Sequence, residues 1–560
     1  MSPIWKVALL IVPLLSHLVN AALPDGRPHA NVVRPPGVPL VKIPDTPVVS
    51  RNGTVLPPYN TTYLFDQLID HNNPSLGTFK QRYWHTYEYY EPGGPIILFT
   101  PGEGNADGYS GYLTTSTING LIARQQNGST IVIEHRFYGF SNPYPDLSVE
   151  SLRVHTLQQA VDDMVYFAKT VNLPMPGGDQ VTPDKAPWIL VGGSYSGALT
   201  SWTMVNKPGI FFAGYSSSGV VQAILNFWQY FEPVRQNMPS NCSADVQAVI
   251  SHVDQVFTGK NASAIQALKE SFGMGEMTHL DDVAGSLRNN LWDWQSLQVT
   301  SGPGSQFYKF CDALEVKNGQ NSPASGWGLE HALPTWAAYF KNTYLKQLCG
   351  STGTEECLGT YDVTLPYWTD TSINNSWRSW FWIVCNEVGY LQEGAPQGRP
   401  SLVTRLVQPD YDLRQCQQMF PAAFPTSPVV QIDRTNRVYE GWNVRLNHLF
   451  FANGIRDPWK DATVSAEGLN VGSTPQQPIA LGDGFHCSDL GASSGAADAT
   501  VRAVQTQALA SMKTWLTTWK PAEIGHSTRS PRSERGTFPQ GNPHITVKPI
   551  NAFMKDSGVV

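Results

Sequence analysis

Along the chain, apolar and polar positions follow two different rhythms. Short β-branched or apolar runs bounded by Gly, Pro or Asn fall at Phe79–His85, Ile96–Thr100, Thr130–His135, Ile189–Val191 and Phe211–Ser216, the signature of buried strands. Between them, Leu157, Ala160, Val161, Met164, Phe167 and Ala168 keep the i, i+3, i+4 spacing of a helix packed on one face. Strands alternating with helices predict a parallel sheet with helices on both faces. Over residues 220–430 the rhythm becomes mostly helical, as at Val246–Phe257 and Ala262–Phe272, broken by aromatic clusters such as Leu291–Trp294 and Trp377–Trp382. This stretch reads as a helical cap inserted into the sheet domain. Strand signals return at Leu446–Ala452 and Pro478–Leu481, and a helix over 497–519 closes the fold. The expected organisation is a signal peptide at 1–21, a Pro-rich leader or propeptide at 22–58, and sheet domain at 59–219 and 431–520. The cap occupies 220–430 and a disordered tail 521–560.

Composition narrows the class. The 560 residues are 41% hydrophobic and only 15% charged, with 17 Trp and 22 Tyr, so the chain is globular and rich in aromatic side chains. A net charge of −7 without a basic block in the folded part excludes nucleic acid as the natural partner. Lys6, the apolar run Val7–Leu14 and Val19-Asn20-Ala21 have the layout of a secretory signal. That run is too short to span a bilayer, so the mature chain is expected to be exported and free of the membrane, extracellular or in a vacuolar or lysosomal compartment. Sequons at Asn52, Asn60, Asn127, Asn241, Asn261 and Asn374 suit export. Of seven cysteines one must stay unpaired, and Cys487, apart from the rest, is the expected one. Cys349–Cys357 and Cys385–Cys416 are the short-loop pairings, although spacing alone does not fix connectivity.

The chemistry centres on Ile189-Leu190-Val191-Gly192-Gly193-Ser194-Tyr195-Ser196-Gly197. An apolar strand ending in glycines, a serine and a helix start form the grammar of a nucleophile elbow, which lifts a serine hydroxyl above a sheet. The pattern departs from G-x-S-x-G, because Ser196 stands where the second glycine belongs. An α/β-hydrolase presents nucleophile, acid and histidine in that order beyond strand ends. Asp457 follows the strand Leu446–Ala452, and His486 follows Pro478–Leu481. Ser194, Asp457 and His486 thus form the candidate catalytic triad. Cys487 adjoins the candidate base, so a thiol reagent there is expected to hinder His486. An esterase on the same scaffold and a non-catalytic surface glycoprotein are the other readings. The lack of an HGGG-type loop weighs against the first, and the intact triad against the second.

The elbow, Glu134-His135-Arg136-Phe137-Tyr138-Gly139, Thr100-Pro101-Gly102-Glu103-Gly104, Phe79–Tyr83, Cys385-Asn386-Glu387 and Asp457-Pro458-Trp459 resemble one family. It is that of lysosomal Pro-X carboxypeptidase and dipeptidyl peptidase II, serine peptidase family S28. The likeness is greatest to its fungal secreted acid proline-specific endoproteases and runs from Tyr63 to Trp519, including the placement of all seven cysteines. The resemblance implies an α/β-hydrolase with a large helical cap, hydrolysing peptide bonds on the carboxyl side of proline without a cofactor or metal. Endoprotease action is favoured, with carboxypeptidase or dipeptidyl peptidase action as the alternative. It implies oxyanion donors at Tyr195 and at Gly102 or Glu103. Trp459 is the first choice for a wall of the proline pocket, with Trp377 and Trp380 on the cap side, while Glu103 and Glu387 are candidates to hold a substrate terminus. The implied partners are proline-containing peptides or proteins.

Overall fold

A computed structural model describes residue 23 and residues 27–521. The expected signal peptide and nearly all of the expected tail lie outside the described residues. The centre is an eight-stranded sheet. Its strands are β1 (Thr62–Leu68), β2 (Thr78–Thr86), β3 (Ile96–Thr100), β4 (Ser129–Ile133), β5 (Trp188–Gly193), β6 (Ala213–Ser217), β7 (Leu449–Gly454) and β8 (Ile479–Gly482). They lie in the order β1-β2-β4-β3-β5-β6-β7-β8. The strands from β3 to β8 run parallel, whereas β2 is antiparallel to both β1 and β4. The sheet is therefore mixed, because only a short connection joins β1 to β2 and no crossover helix separates them.

The pleat explains why the central strands read as unbroken apolar runs. In β3, Ile96 and Leu98 enter one core while Ile97 and Phe99 enter the other. Helices Leu157–Thr170 and Tyr195–Asn206 cover the first face. Ile118–Gln126 and Ala499–Leu516 cover the second. This is an α/β-hydrolase fold with helical insertions. Between β6 and β7 the chain builds helices that include Ser240–Phe257, Gln306–Glu315, Leu329–Tyr339 and Pro409–Met419.

Three disulfides brace that insertion, Cys242–Cys311, Cys349–Cys357 and Cys385–Cys416, leaving Cys487 as the free thiol. The N-terminal stretch expected as a Pro-rich leader or propeptide packs into the fold. Ala30, Val32 and Val33 are buried in the larger core and Val38 in the smaller. Among the described residues no helix is long and apolar enough to cross a membrane.

Loop-closure entropy ranks the disulfides. Cys242–Cys311 spans 69 residues and Cys349–Cys357 only 8, so the chain-entropy relation assigns about 4 against about 2.5 kcal/mol. Replacing Cys242 and Cys311 together by alanine should lower Tm more than the same change at Cys349 and Cys357, as differential scanning calorimetry will register.

Candidate active site

The elbow owes its shape to backbone crowding between β5 and the helix that follows it. Ser194 has φ 63° and ψ −125°, a region a residue with a Cβ occupies only when its surroundings hold it there. A Cβ at Gly192 would overlap the Ser196 carbonyl, and one at Gly197 would sit 2.7 Å from the Ser217 carbonyl oxygen. Gly197 thus supplies the close strand–helix approach. Ser196 adds a clamp of its own, its Oγ lying 2.7 Å from the Gly193 carbonyl oxygen and 3.0 Å from the Gly193 amide. The departure from G-x-S-x-G therefore exchanges a small residue for one that fastens the turn.

The three candidate residues come together from the ends of β5, β7 and β8. Ser194 Oγ lies 2.7 Å from His486 Nε2, and His486 Nδ1–H donates to Asp457 Oδ1 at 2.8 Å. The same Oδ1 accepts from the Trp459 amide at 2.8 Å, which fixes the carboxylate. Burial disfavours charge on the imidazole, but Asp457 and Cys487 together outweigh it, and the ring is held well above the usual histidine pKa. This arrangement can draw a proton from a serine hydroxyl and keep the resulting imidazolium beside a negative charge.

The residues expected around the triad separate into groups. Tyr195 opens the helix, where its N–H has no intrahelical partner. Gly102, at φ 82°, lies against Tyr195 and Ser196, but its amide is directed at Thr100 Oγ1 (3.3 Å). Glu103 is the other candidate on this loop. The Glu103 side chain is buried, its oxygens make no hydrogen bond among the described residues, and burial pushes its pKa to about 8.

Glu103, Trp377, Trp380 and His486 share the lining of one cleft of about 530 Å³ with Tyr109, Gln295 and residues 34–40. Trp459 is absent from that lining. Its indole is fully buried against Phe227, Tyr230 and Tyr390, 6.3 Å from the His486 ring, and donates to Gln295 Oε1 at 2.8 Å. Its amide ties it to the Asp457 carboxylate and its indole reaches Gln295, which itself lines the cleft. Glu387 lies in a different pocket and accepts the Leu157 amide at the start of a helix (2.9 Å). It serves as a helix N-cap partner away from the triad. The cleft's N-terminal wall had only its prolines as a signal, and Gln295 and Tyr109 had none. Among the described residues no cluster of His, Cys, Asp or Glu is arranged to hold a metal ion.

The geometry fits what the comparisons give. The family model for serine carboxypeptidase S28 matches residues 67–507, and the chain belongs to that family of serine-type peptidases. Among named relatives, serine protease vicPa of Bipolaris victoriae is 36% identical over 85% of this chain and 90% of its own. Serine protease vicPb of the same fungus is 37% identical over 77% and 86%. A probable extracellular serine carboxypeptidase of Arthroderma benhamiae is 33% identical over 72% and 58%.

Two outcomes test these environments. Glu103 takes up a proton on folding between its ordinary carboxyl pKa and about 8, so it costs stability that grows as pH rises through that window. Glu103→Gln should therefore raise Tm at pH 8 while leaving it nearly unchanged at pH 4, read by thermal scans at both pH values. Cys487 is fully buried, and burial raises its thiol pKa. Contrary to the expectation from its place beside His486, maleimide should label it only after denaturation and leave native activity intact. Mass spectrometry with and without denaturant checks this.

Proposed function

We propose that Ser194, His486 and Asp457 are the catalytic triad of a secreted peptidase that cleaves on the carboxyl side of proline, within peptide chains. The observation that carries this reading is the continuous hydrogen-bonded relay from Ser194 through His486 to Asp457, opening on a cleft with two tryptophans in its wall. Ser194 Oγ attacks the scissile carbonyl while His486 Nε2 takes its proton. The carbonyl oxygen, now negative, is received by the Tyr195 and Glu103 amides. The C–N bond breaks, His486 returns the proton to the leaving amine, and water releases the acyl group by the same path.

Proline specificity draws its support from Trp377 and Trp380. The Trp380 ring lies 5.3 Å from that of Tyr195, next in sequence to the nucleophile. A pyrrolidine ring offers flat apolar surface and no N–H to satisfy, which suits an indole wall. Carboxypeptidase action at the same site is the second reading, favoured by the name of the Arthroderma benhamiae relative. The sequons and the expected signal peptide support export and N-glycosylation.

Ser194→Ala should end fluorophosphonate labelling and peptide turnover together; undiminished turnover would refute the triad. Trp380→Ala should lower kcat/KM for proline substrates by about tenfold to a hundredfold, the worth of about 1–3 kcal/mol of apolar contact, and alanine substrates far less. Equal losses on both would exclude Trp380 as the proline wall. Mass spectrometry of products from a long peptide with an internal proline separates the two modes, since carboxypeptidase action removes residues from the C-terminus alone.

A further inference from the structure

The stretch 27–41 is tied into the fold more firmly than a removable leader needs. The Asn31 amide, fully buried, donates to the Leu358 carbonyl (2.6 Å), the Asp282 carbonyl (2.9 Å) and Ser286 Oγ (3.0 Å). Arg27 donates to Asn289 Oδ1 at 3.0 Å, and Arg34 to the Trp292 carbonyl and to Ser296 Oγ. The strap's own carbonyls are then taken in turn. Val33 accepts from Trp377 Nε1 (3.2 Å), Arg34 from Gln392 (2.8 Å), Pro35 from Gln295 (3.0 Å) and Pro39 from Tyr112 Oη (2.8 Å).

Between these anchors the strap passes the reacting centre. A Cβ on Gly193, the residue before the nucleophile, would come 2.6 Å from Val38 Cγ1. Residues 34–40 line the same cleft as His486, Glu103 and Trp380. A segment bound as a substrate mimic would direct its carbonyls at the amides beside Ser194. Here four of them go to side chains of the surrounding fold instead. Pro35, Pro36 and Pro39 have no N–H, so this part of the strap also offers little to a pairing strand. Its release would open the core around Val32 and Val33 and strand the polar groups of Asn289, Gln295, Gln392 and Trp377.

We propose that the strap 27–41 remains in the working enzyme as a fixed wall of the substrate cleft, and that Gly37 in that wall sets the width of substrate admitted. Gly37 lines the cleft, and a Cβ built on it meets no atom within 4 Å. Its backbone does not require glycine, since its φ is not positive. A large side chain at Gly37 therefore enters open space in the cleft without displacing the fold. The inference rests on the proposed peptidase activity only for its kinetic readout.

The test uses the full chain as secreted, comparing Gly37→Trp with the parent. The variant should lose about tenfold or more in kcat/KM on proline peptides of about ten residues, while fluorophosphonate labelling of Ser194 and Tm stay at parental values. Parental kinetics on every peptide would overturn the proposal, because a discarded strap cannot obstruct. Native mass spectrometry of the parent after fluorophosphonate has tagged its labelling-competent molecules is an independent measurement of the same point. Residues 27–41 should be present in the tagged species, covalently or as a retained fragment. A tagged species lacking them, or activity of the untagged enzyme that rises on their release, refutes the wall and makes the strap a propeptide. If the parent labels at Ser194 but cleaves no peptide, the peptidase reading fails while the mass measurement still decides the strap.

Discussion

The site depends on one constraint: Ser194 must hold a left-handed backbone at the point where β5 turns into a helix. No intrinsic preference supports that conformation in a serine, so the surroundings must enforce it. The Ser194 amide donates to the Ser217 carbonyl (2.8 Å), and the Ser194 carbonyl accepts from Ala198 (3.0 Å) and Val220 (3.3 Å). The elbow is thereby pinned to the end of β6 and to the first residues of the insertion. The absence of side chains at Gly192 and Gly197 lets the helix come within backbone contact of both strands. Everything that meets the nucleophile, from the Tyr195 amide to the His486 loop, takes its position from this crowded corner.

Buried ion pairs hold the other side of the cleft in register. Glu134, fully buried at the end of β4, accepts from Arg82 Nε (2.9 Å) and Nη2 (2.6 Å), the Ala106 amide (3.0 Å) and Ser141 Oγ (2.6 Å). Two residues on, Arg136 grips Asp163, its Nε–H donating to Oδ2 at 2.6 Å. A buried carboxylate with one partner is a net cost, but one with several donors is satisfied and directional. Glu134 in this way anchors the chain just beyond the 101–104 loop, where the second oxyanion donor is proposed. The Glu-His-Arg segment that carries part of the family likeness is thus scaffold for the site and supplies no group to the proposed chemistry.

Legibility in the sequence followed the physics of each feature. The central strands were readable because both faces are buried, which makes them continuous apolar runs a few residues from their observed ends. That Ser194, Asp457 and His486 come together was readable because strand-end loops and chain order are local properties. The antiparallel setting of β2 was not, since its run looks like any other buried strand and direction depends on the length of a connection. The direction of the Trp459 indole was not legible, because adjacency to Asp457 in sequence does not set it; it donates to Gln295. Gly102 and Glu103 were indistinguishable in the sequence, because the contact of the Gly102 amide with the Thr100 hydroxyl is set only by the folded turn. The packing of the N-terminal stretch was least legible. Proline content signals an extended chain correctly, but an extended chain is also what lines a cleft, and burial depends on partners more than two hundred residues away.

The proton balance of the fold and that of the proposed reaction pull in opposite directions. Burial raises Glu103 to about 8, Glu387 to about 7 and Asp489 to about 6, and it holds Glu393 well above the carboxylate range. Each of these groups is protonated in the fold at a pH where the unfolded chain has already released its proton, so stability declines as pH rises from the ordinary carboxyl range through those values. His486 has the reverse requirement. Its folded pKa is raised by Asp457, and it accepts the Ser194 proton only in its neutral form, so attack gains as pH rises through that value. These carboxyls are thus most secure in acid, whereas His29, His85, His135 and His155, held by burial below the usual histidine pKa, lose stability as pH falls, and His486 is best armed at higher pH. His486 and the carboxyl of Glu103, in the same cleft, therefore respond to a rise in pH with opposite sign, the first becoming a competent base and the second a buried charge.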